Sequence, residues 1–188
     1  MSILIGYNNL FEDLADPNLR ELVNGISLPM INSTGNVFHD LMSCIVEQQI
    51  HYRSTKKTFE KLLSYTSITE LTPHNFHEFE KLALPRTRLS EQKYQTILNV
   101  LGFWKTNDVD WPTLSDDEVR SKLGSIKGIG NWTIDMILLY TLQRPDIFPA
   151  DDYHLKQVMT KLYGLNPESR IKANMFDVAN TWRPNRSN

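Results

Sequence analysis

Thiols are nearly absent: Cys44 is the single cysteine in 188 residues. One thiol excludes an internal disulfide and any cluster drawing four thiolates from this chain. A reducing, cytoplasmic setting is the simplest expectation. No apolar run reaches the ~18–20 residues that a membrane-spanning helix needs. The start, "MSILIGYNNL", has no basic region and too short an apolar stretch for a secretory signal. Charge of one sign is lacking as well, since 20 Lys and Arg face 22 Asp and Glu for a net charge of −2. That balance does not advertise a nucleic-acid binder, although phosphate contacts can be local and can come from backbone amides. The five histidines show no close pairing with cysteines or acids at ligand spacing, so no catalytic metal is expected. Strand patterns are almost missing, with a candidate only in "ILIGY".

What is present is helical signal. "DPNLRELV" offers Asp16 as a cap and Pro17 at the favoured first helical position. "NVFHDLMSCIVEQQ" spaces Val37, Phe38, Leu41, Met42, Ile45 and Val46 along one helical face. "STKKTFEKLL" and "TPHNFHEFEKLAL" repeat the pattern, the second with Thr72 and Pro73 as start signals. "SEQKYQTILNVLGFW" stacks Tyr94, Ile97, Leu98 and Leu101. "SDDEV" is a capping box from Ser115 to Glu118, and Gly124 ends that helix. "WTIDMILLYTL" is apolar on nearly every side and predicts a central buried helix. "DYHLKQVMTKLYG" and "ESRIKANMFDVANTW" predict two more. The basic clusters (Arg53, Lys56, Lys57; Arg86, Arg88, Lys93; Lys122, Lys127) read singly as solvated helix faces. The fold class is all-α.

Glycine is scarce too, with eight residues in all, yet Gly124, Gly128 and Gly130 fall within "GSIKGIGNW". A helix ending at Gly124 and another starting near Asn131 make a tight hairpin, with Ile129 plugging the gap between them. The turn then presents amides at a helix N-terminus, which suits an anion such as a nucleic-acid phosphate. The same glycines serve a helix C-cap and an ordinary turn equally well, and alone they do not choose.

The wider stretch "LGSIKGIGNWTIDMILLYTLQRPDIFPADDYHLKQ" resembles the helix-hairpin-helix, Gly/Pro-rich loop and aspartate of the HhH-GPD DNA glycosylase superfamily. The likeness is strongest to its alkylated-base branch, the 3-methyladenine DNA glycosylase II type, whose motifs read "PGIGxWTA" and "xPxDDYxxK". Lys127 stands for the usual proline and Ile134 for the usual alanine. "LMSCIVEQQIHYRSTKKTFEKL", "LSEQKYQTILNVL" and "WRPNRS" extend the resemblance over roughly residues 13–188. It implies two helical subdomains with the hairpin flanking a base-binding cleft. One subdomain is approximately 36–140, including a hairpin at 116–142, and the other 1–35 with 145–188.

The same resemblance implies site residues. Asp152 matches the catalytic carboxylate and Asp151 the helix cap, although without the resemblance both aspartates read more simply as cap and dipole partner. Trp132 occupies the position where relatives that also cut the backbone carry a Schiff-base lysine, so no lyase step is expected. Trp132 and Met136 match the base pocket. Gln48 and Gln49 match the wedge that fills the gap left by a flipped nucleotide, with Gln49 preferred, and His51 and Arg53 fall beside the backbone. Lys127, Gly128, Ile129, Gly130, Asn131 and Thr133 form the phosphate-binding hairpin. No cofactor is implied beyond a structural Na+ or K+ on the carbonyls of Gly124, Ile126 and Gly128. The expected partner is double-stranded DNA with damaged bases, bound by a monomer with no membrane role. Relatives continue past "WRPxRS" into a helix bearing a pocket aromatic, so a chain stopping at Asn188 is expected either to be truncated or to lack that wall. A non-catalytic hairpin binder, and a glycosylase for mismatched or oxidised bases, are the alternatives. The second is disfavoured by the missing cysteine set and lysine.

Overall fold

End signals in the sequence set several helix boundaries. In a computed structural model, which describes residues 16–23, 33–47 and 57–187, Asp16 accepts the N–H groups of Asn18 and Leu19 at 2.9 and 3.3 Å. Pro17 then opens α1 (Pro17–Val23). There follow α2 (Val37–Glu47), α3 (Lys57–Leu63), α4 (Phe76–Leu82), α5 (Glu91–Thr106), α6 (Asp116–Gly124), α7 (Asn131–Met136), α8 (Tyr153–Tyr163) and α9 (Ile171–Ala179). Among the described residues there is no strand, and the fold is all-α. "ILIGY" lies outside them. The chain divides into two compact units, residues 32–144 and residues 1–31 with 145–188.

In the 32–144 unit α2 is the organising helix. All six apolar residues predicted for its face are buried, Leu41 and Met42 completely. Burying a side chain of that kind stabilises by roughly 1.5–3 kcal/mol. The helix packs on α3 and α5, where Phe59, Ile97 and Val100 are buried, and Phe38 meets the Trp104 ring edge-on at 5.4 Å. Asp40, on the other side of α2, accepts the hydroxyls of Thr34 and Thr141 at 2.8 and 2.6 Å.

Three expectations are corrected here. On α5 the buried positions are Thr96, Ile97 and Val100, while Leu98 is 38% exposed. The helix is turned so that Thr96 meets the hairpin turn, a rotation that local periodicity does not encode. α4 starts at Phe76 and not at Thr72–Pro73. Asn75 accepts the Thr72 N–H and donates to the Glu70 carbonyl, which holds residues 70–75 as a turn. The expected long buried helix after the glycine turn widens at Ile137 into a π-helical turn, Ile137–Thr141, and Tyr140 is exposed. π-turns of this sort concentrate near functional segments.

His39 on α2 accepts the Leu71 N–H through Nδ1 at 2.9 Å. Burial lowers its pKa below the ordinary 6.5, against the opposing pull of Asp40 and Glu70. The folded state therefore favours neutral imidazole, and the unfolded chain takes up the proton first as pH falls. Stability is expected to decline as pH drops below about 6.5 toward the lower folded value. His39→Asn, whose Oδ1 can accept the same N–H, should flatten that decline in urea unfolding at pH 5 and pH 7. An unchanged slope would refute the assignment.

In the second unit Phe148, Ala150, Met159, Met175 and Ala179 form the core. Asp16 joins three elements, since its Oδ2 accepts the Tyr163 hydroxyl at 2.8 Å and the Trp182 indole N–H at 2.9 Å. Burial pushes this carboxyl up, but the donors from Trp182, Tyr163 and the two amides outweigh it and hold the pKa below the usual value. Asp146 binds Arg186 and Arg183, and Ser187 donates its N–H to the Pro145 carbonyl while its hydroxyl exchanges hydrogen bonds with the Ile147 main chain. The "WRPNRS" tail is thereby tied to the "RPDI" segment. Gly164, at φ +62°, ends α8 as predicted.

Candidate nucleic-acid interface and catalytic carboxylate

The hairpin begins with the capping box. Ser115 donates its N–H to Glu118 at 2.8 Å while its hydroxyl accepts the Glu118 N–H at 3.4 Å. α6 closes at Gly124, and Ile126 and Ile129 turn inward, both buried, with the Ile129 N–H on the Ile126 carbonyl at 3.0 Å. Arg120 of α6 grips Asp135 of α7 at 2.6 Å, and Asp135 is 6% exposed. This pair fixes the two helices of the hairpin to one another.

The three glycines do different jobs. Gly128 sits at φ +100°, and a Cβ built there would lie 2.2 Å from Thr96 Oγ1. The close approach that demands glycine is therefore internal, against α5, and only Gly128 combines it with left-handed backbone. At Gly124 a Cβ would touch Ile134 at an ordinary 3.8 Å, and at Gly130 it would meet nothing within 4 Å. Gly130 is the N-cap of α7, in extended conformation, and faces open space.

Lys127, Gly128, Gly130 and Asn131 are exposed, and the N–H groups of Gly128, Gly130 and Asn131 have no acceptor among the described residues. Of the predicted phosphate residues, Ile129 is a buried plug. Thr133, 1% exposed as a whole residue, is interior too, so neither presents surface to a strand. Trp132 and Met136, one helical turn apart on α7, are both half-buried. Burial in the core does not consume them.

In the second unit the structure moves the cap from Asp151 to Asp152. Asp152 is the N-cap of α8, with φ −71° and ψ 126°, and its Oδ1 accepts the Leu155 N–H at 2.8 Å. Asp151, predicted as the cap, instead forms an ion pair with Lys172 of α9. Either side chain can cap, and the lysine draws Asp151 aside. Asp152 is half-buried and stands at the positive end of an eleven-residue helix.

Gln48, Gln49, His51 and Arg53 lie outside the described residues. The chain on either side of them is tied down: Glu47 accepts the Phe59 N–H at 3.2 Å, and Lys93 donates to the Val46 carbonyl at 3.1 Å. Burial lowers the Lys93 pKa. Lys93 and Arg86 thus do more than solvate a face, since Arg86 also lies 4.4 Å over the Tyr65 ring. Sequence reasoning missed Thr96, Asn99, Arg120 and Asp135, whose partners are distant in the chain. Among the described residues no group of His, Cys, Asp and Glu could hold a metal ion.

A capped hairpin whose turn amides lack acceptors among the described residues, in an all-α chain, is a helix-hairpin-helix arrangement. Residues 42–184 match the HhH-GPD superfamily of base excision DNA repair proteins. The chain belongs to that superfamily. It is 27% identical over 161 residues to DNA-3-methyladenine glycosylase 1 of Schizosaccharomyces pombe, covering 77% of this chain and 69% of the relative. It is also 27% identical over 141 residues to the alkylbase DNA glycosidase-like protein mag2 of the same yeast, covering 72% and 66%. The fold matches the structure of the S. pombe 3-methyladenine DNA glycosylase Mag1 in complex with abasic DNA, with a TM-score of 0.77 and 22% identity over 95% of this chain and 90% of that one.

Proposed function

We propose that this protein is a monofunctional DNA glycosylase that excises alkylated bases of the 3-methyladenine and 7-methylguanine type from double-stranded DNA, acting as a monomer. The observation that carries the reading is the Asp152 carboxylate held at the head of α8. As the base leaves, the deoxyribose becomes cationic, and a fixed carboxylate facing it supplies the opposing charge and can orient water. An N-alkylated purine already carries positive charge and leaves as a neutral base, so a general acid is unnecessary. The outward amides of the hairpin take a backbone phosphate, with Lys127 adding charge. Trp132 and Met136 offer an aromatic face and a polarisable thioether to an everted, electron-poor base. Gln48 or Gln49 fills the vacated stack, with His51 and Arg53 beside the strand.

The relatives named as 3-methyladenine or alkylbase enzymes support the substrate class. Incubation with methylated duplex DNA should release free 3-methyladenine or 7-methylguanine, detected by chromatography. No release of any alkylated base would overturn the proposal. With Trp132 at the lyase position, borohydride should trap no covalent adduct, and a trapped adduct would refute the monofunctional assignment.

Carbonyls of Gly124, Ile126 and Gly128 could together hold a Na+ or K+ that orders the turn. Ile126 already accepts the Ile129 N–H, so its second lone pair would serve the ion. A second reading, a non-catalytic hairpin binder, is favoured by one observation: Asp152 has a structural use as the cap of α8. The Asp152 substitution in the Discussion separates the two.

A further inference from the structure

The proposed phosphate site needs an N–H that points outward, and glycine by itself does not secure one. A glycine tolerates both signs of φ, so the peptide joining residues 127 and 128 can turn over at little steric cost. Turning it over would exchange its carbonyl and its N–H. Something outside the turn must select one orientation.

Asn99 of α5 is placed to do so. Its Nδ2 donates to the Lys127 carbonyl at 2.8 Å, while its Oδ1 accepts from Gln95 at 3.4 Å. In a planar trans peptide the carbonyl and the N–H point in opposite directions. A Lys127 carbonyl drawn toward α5 therefore sends the Gly128 N–H away from α5. That N–H has no acceptor among the described residues, and Gly128 itself is exposed. Thr96, one turn before Asn99, packs under Gly128 and sets the depth of the contact.

We propose that Asn99 is a positioning residue: its amide locks the Lys127–Gly128 peptide so that the Gly128 N–H faces the DNA phosphate. This rests on the hairpin being the phosphate site of the proposed glycosylase. Asn99 touches no DNA in this account and acts through the peptide alone.

The test uses the full chain and a duplex carrying a tetrahydrofuran abasic analogue. In the wild-type protein, the Gly128 amide cross-peak in a 1H–15N spectrum should move when the duplex is added. In Asn99→Ala that response should be lost and the affinity should fall about tenfold, the worth of one charge-assisted hydrogen bond. Asn99→Leu, which keeps the branched shape without the donor, should behave likewise, so a packing defect in the alanine variant cannot mimic the result. An unchanged Gly128 response and an affinity within twofold of wild type in either folded variant would overturn the proposal. A fall in thermal stability alone, with the Gly128 response intact, would also overturn it.

Asn131→Pro separates this failure from failure of the hairpin reading. Proline is tolerated at the first helical position and deletes one N–H, and the extended Gly130 before it (ψ 169°) accommodates the ring. Weaker binding by Asn131→Pro with normal binding by the Asn99 variants would sink only the role of Asn99. Normal binding by Asn131→Pro, with no Gly128 response in the wild type, would sink the phosphate site and the positioning role together.

Discussion

Asp152→Asn is expected to reduce base excision by about 10²–10³-fold, the scale of losing one preorganised electrostatic group. Asparagine caps helices as well as aspartate does. Its Oδ1 can accept the Leu155 N–H in place of the carboxylate, so α8 should keep its start. The variant removes charge and leaves the cap. Binding to an abasic duplex should be retained or tightened, because a negative group no longer stands near an anionic strand. Single-turnover release of 3-methyladenine, with titration of the abasic duplex alongside, checks both halves. Unchanged excision would remove Asp152 from the mechanism. Asp152→Ala is the informative contrast, since it loses the cap as well and should cost about 1 kcal/mol of stability that the asparagine variant does not.

The second large effect concerns the hairpin. Gly128→Ala should destabilise the protein by about 3 kcal/mol, combining left-handed backbone strain with overpacking against α5. The new Cβ would meet Thr96 Oγ1, Cγ2 and Cβ at 2.2, 2.8 and 3.0 Å. Thr96→Ala removes the first two of those atoms. The double variant Thr96→Ala/Gly128→Ala should therefore be less destabilised than the sum of the single changes, a coupling that urea unfolding can measure. Strict additivity would show that the contact is not the source. A Gly128→Ala protein within 0.5 kcal/mol of wild type, on the scale of an ordinary surface change, would contradict the positive φ as well.

These two sites differ in how readable they were. The hairpin was legible as a spacing, because capping boxes, helix-ending glycines and buried isoleucines act within a few residues of one another. Its purpose was only half legible. The glycines suggested room for a ligand, whereas the tightest approach, at Gly128, is to a threonine of the protein's own α5. The aspartate pair was readable as a helix start, yet the capping residue was misassigned. Lys172, twenty-one positions beyond Asp151, decides between two chemically identical candidates. On α5, a count of apolar residues favoured Leu98 and Leu101, while the helix buries Thr96 against the turn.

Sequence by itself determined the all-α class, the α2 core face, the start of α1, both ends of α6, the end of α8, and the order of motifs that identifies the superfamily. Those features depend on contacts three or four residues apart, which the chain writes locally. Tertiary structure alone decided the rotation of α5, the partner of each aspartate, the π-turn after α7 and the amide of Asn99 behind the hairpin. The rotation of α5, the pairing of Asp151 with Lys172 and the Asn99 contact rest on groups far apart in sequence, 28 positions in the case of Asn99 and Lys127. No local pattern specifies such a meeting, because it exists only once the helices have packed.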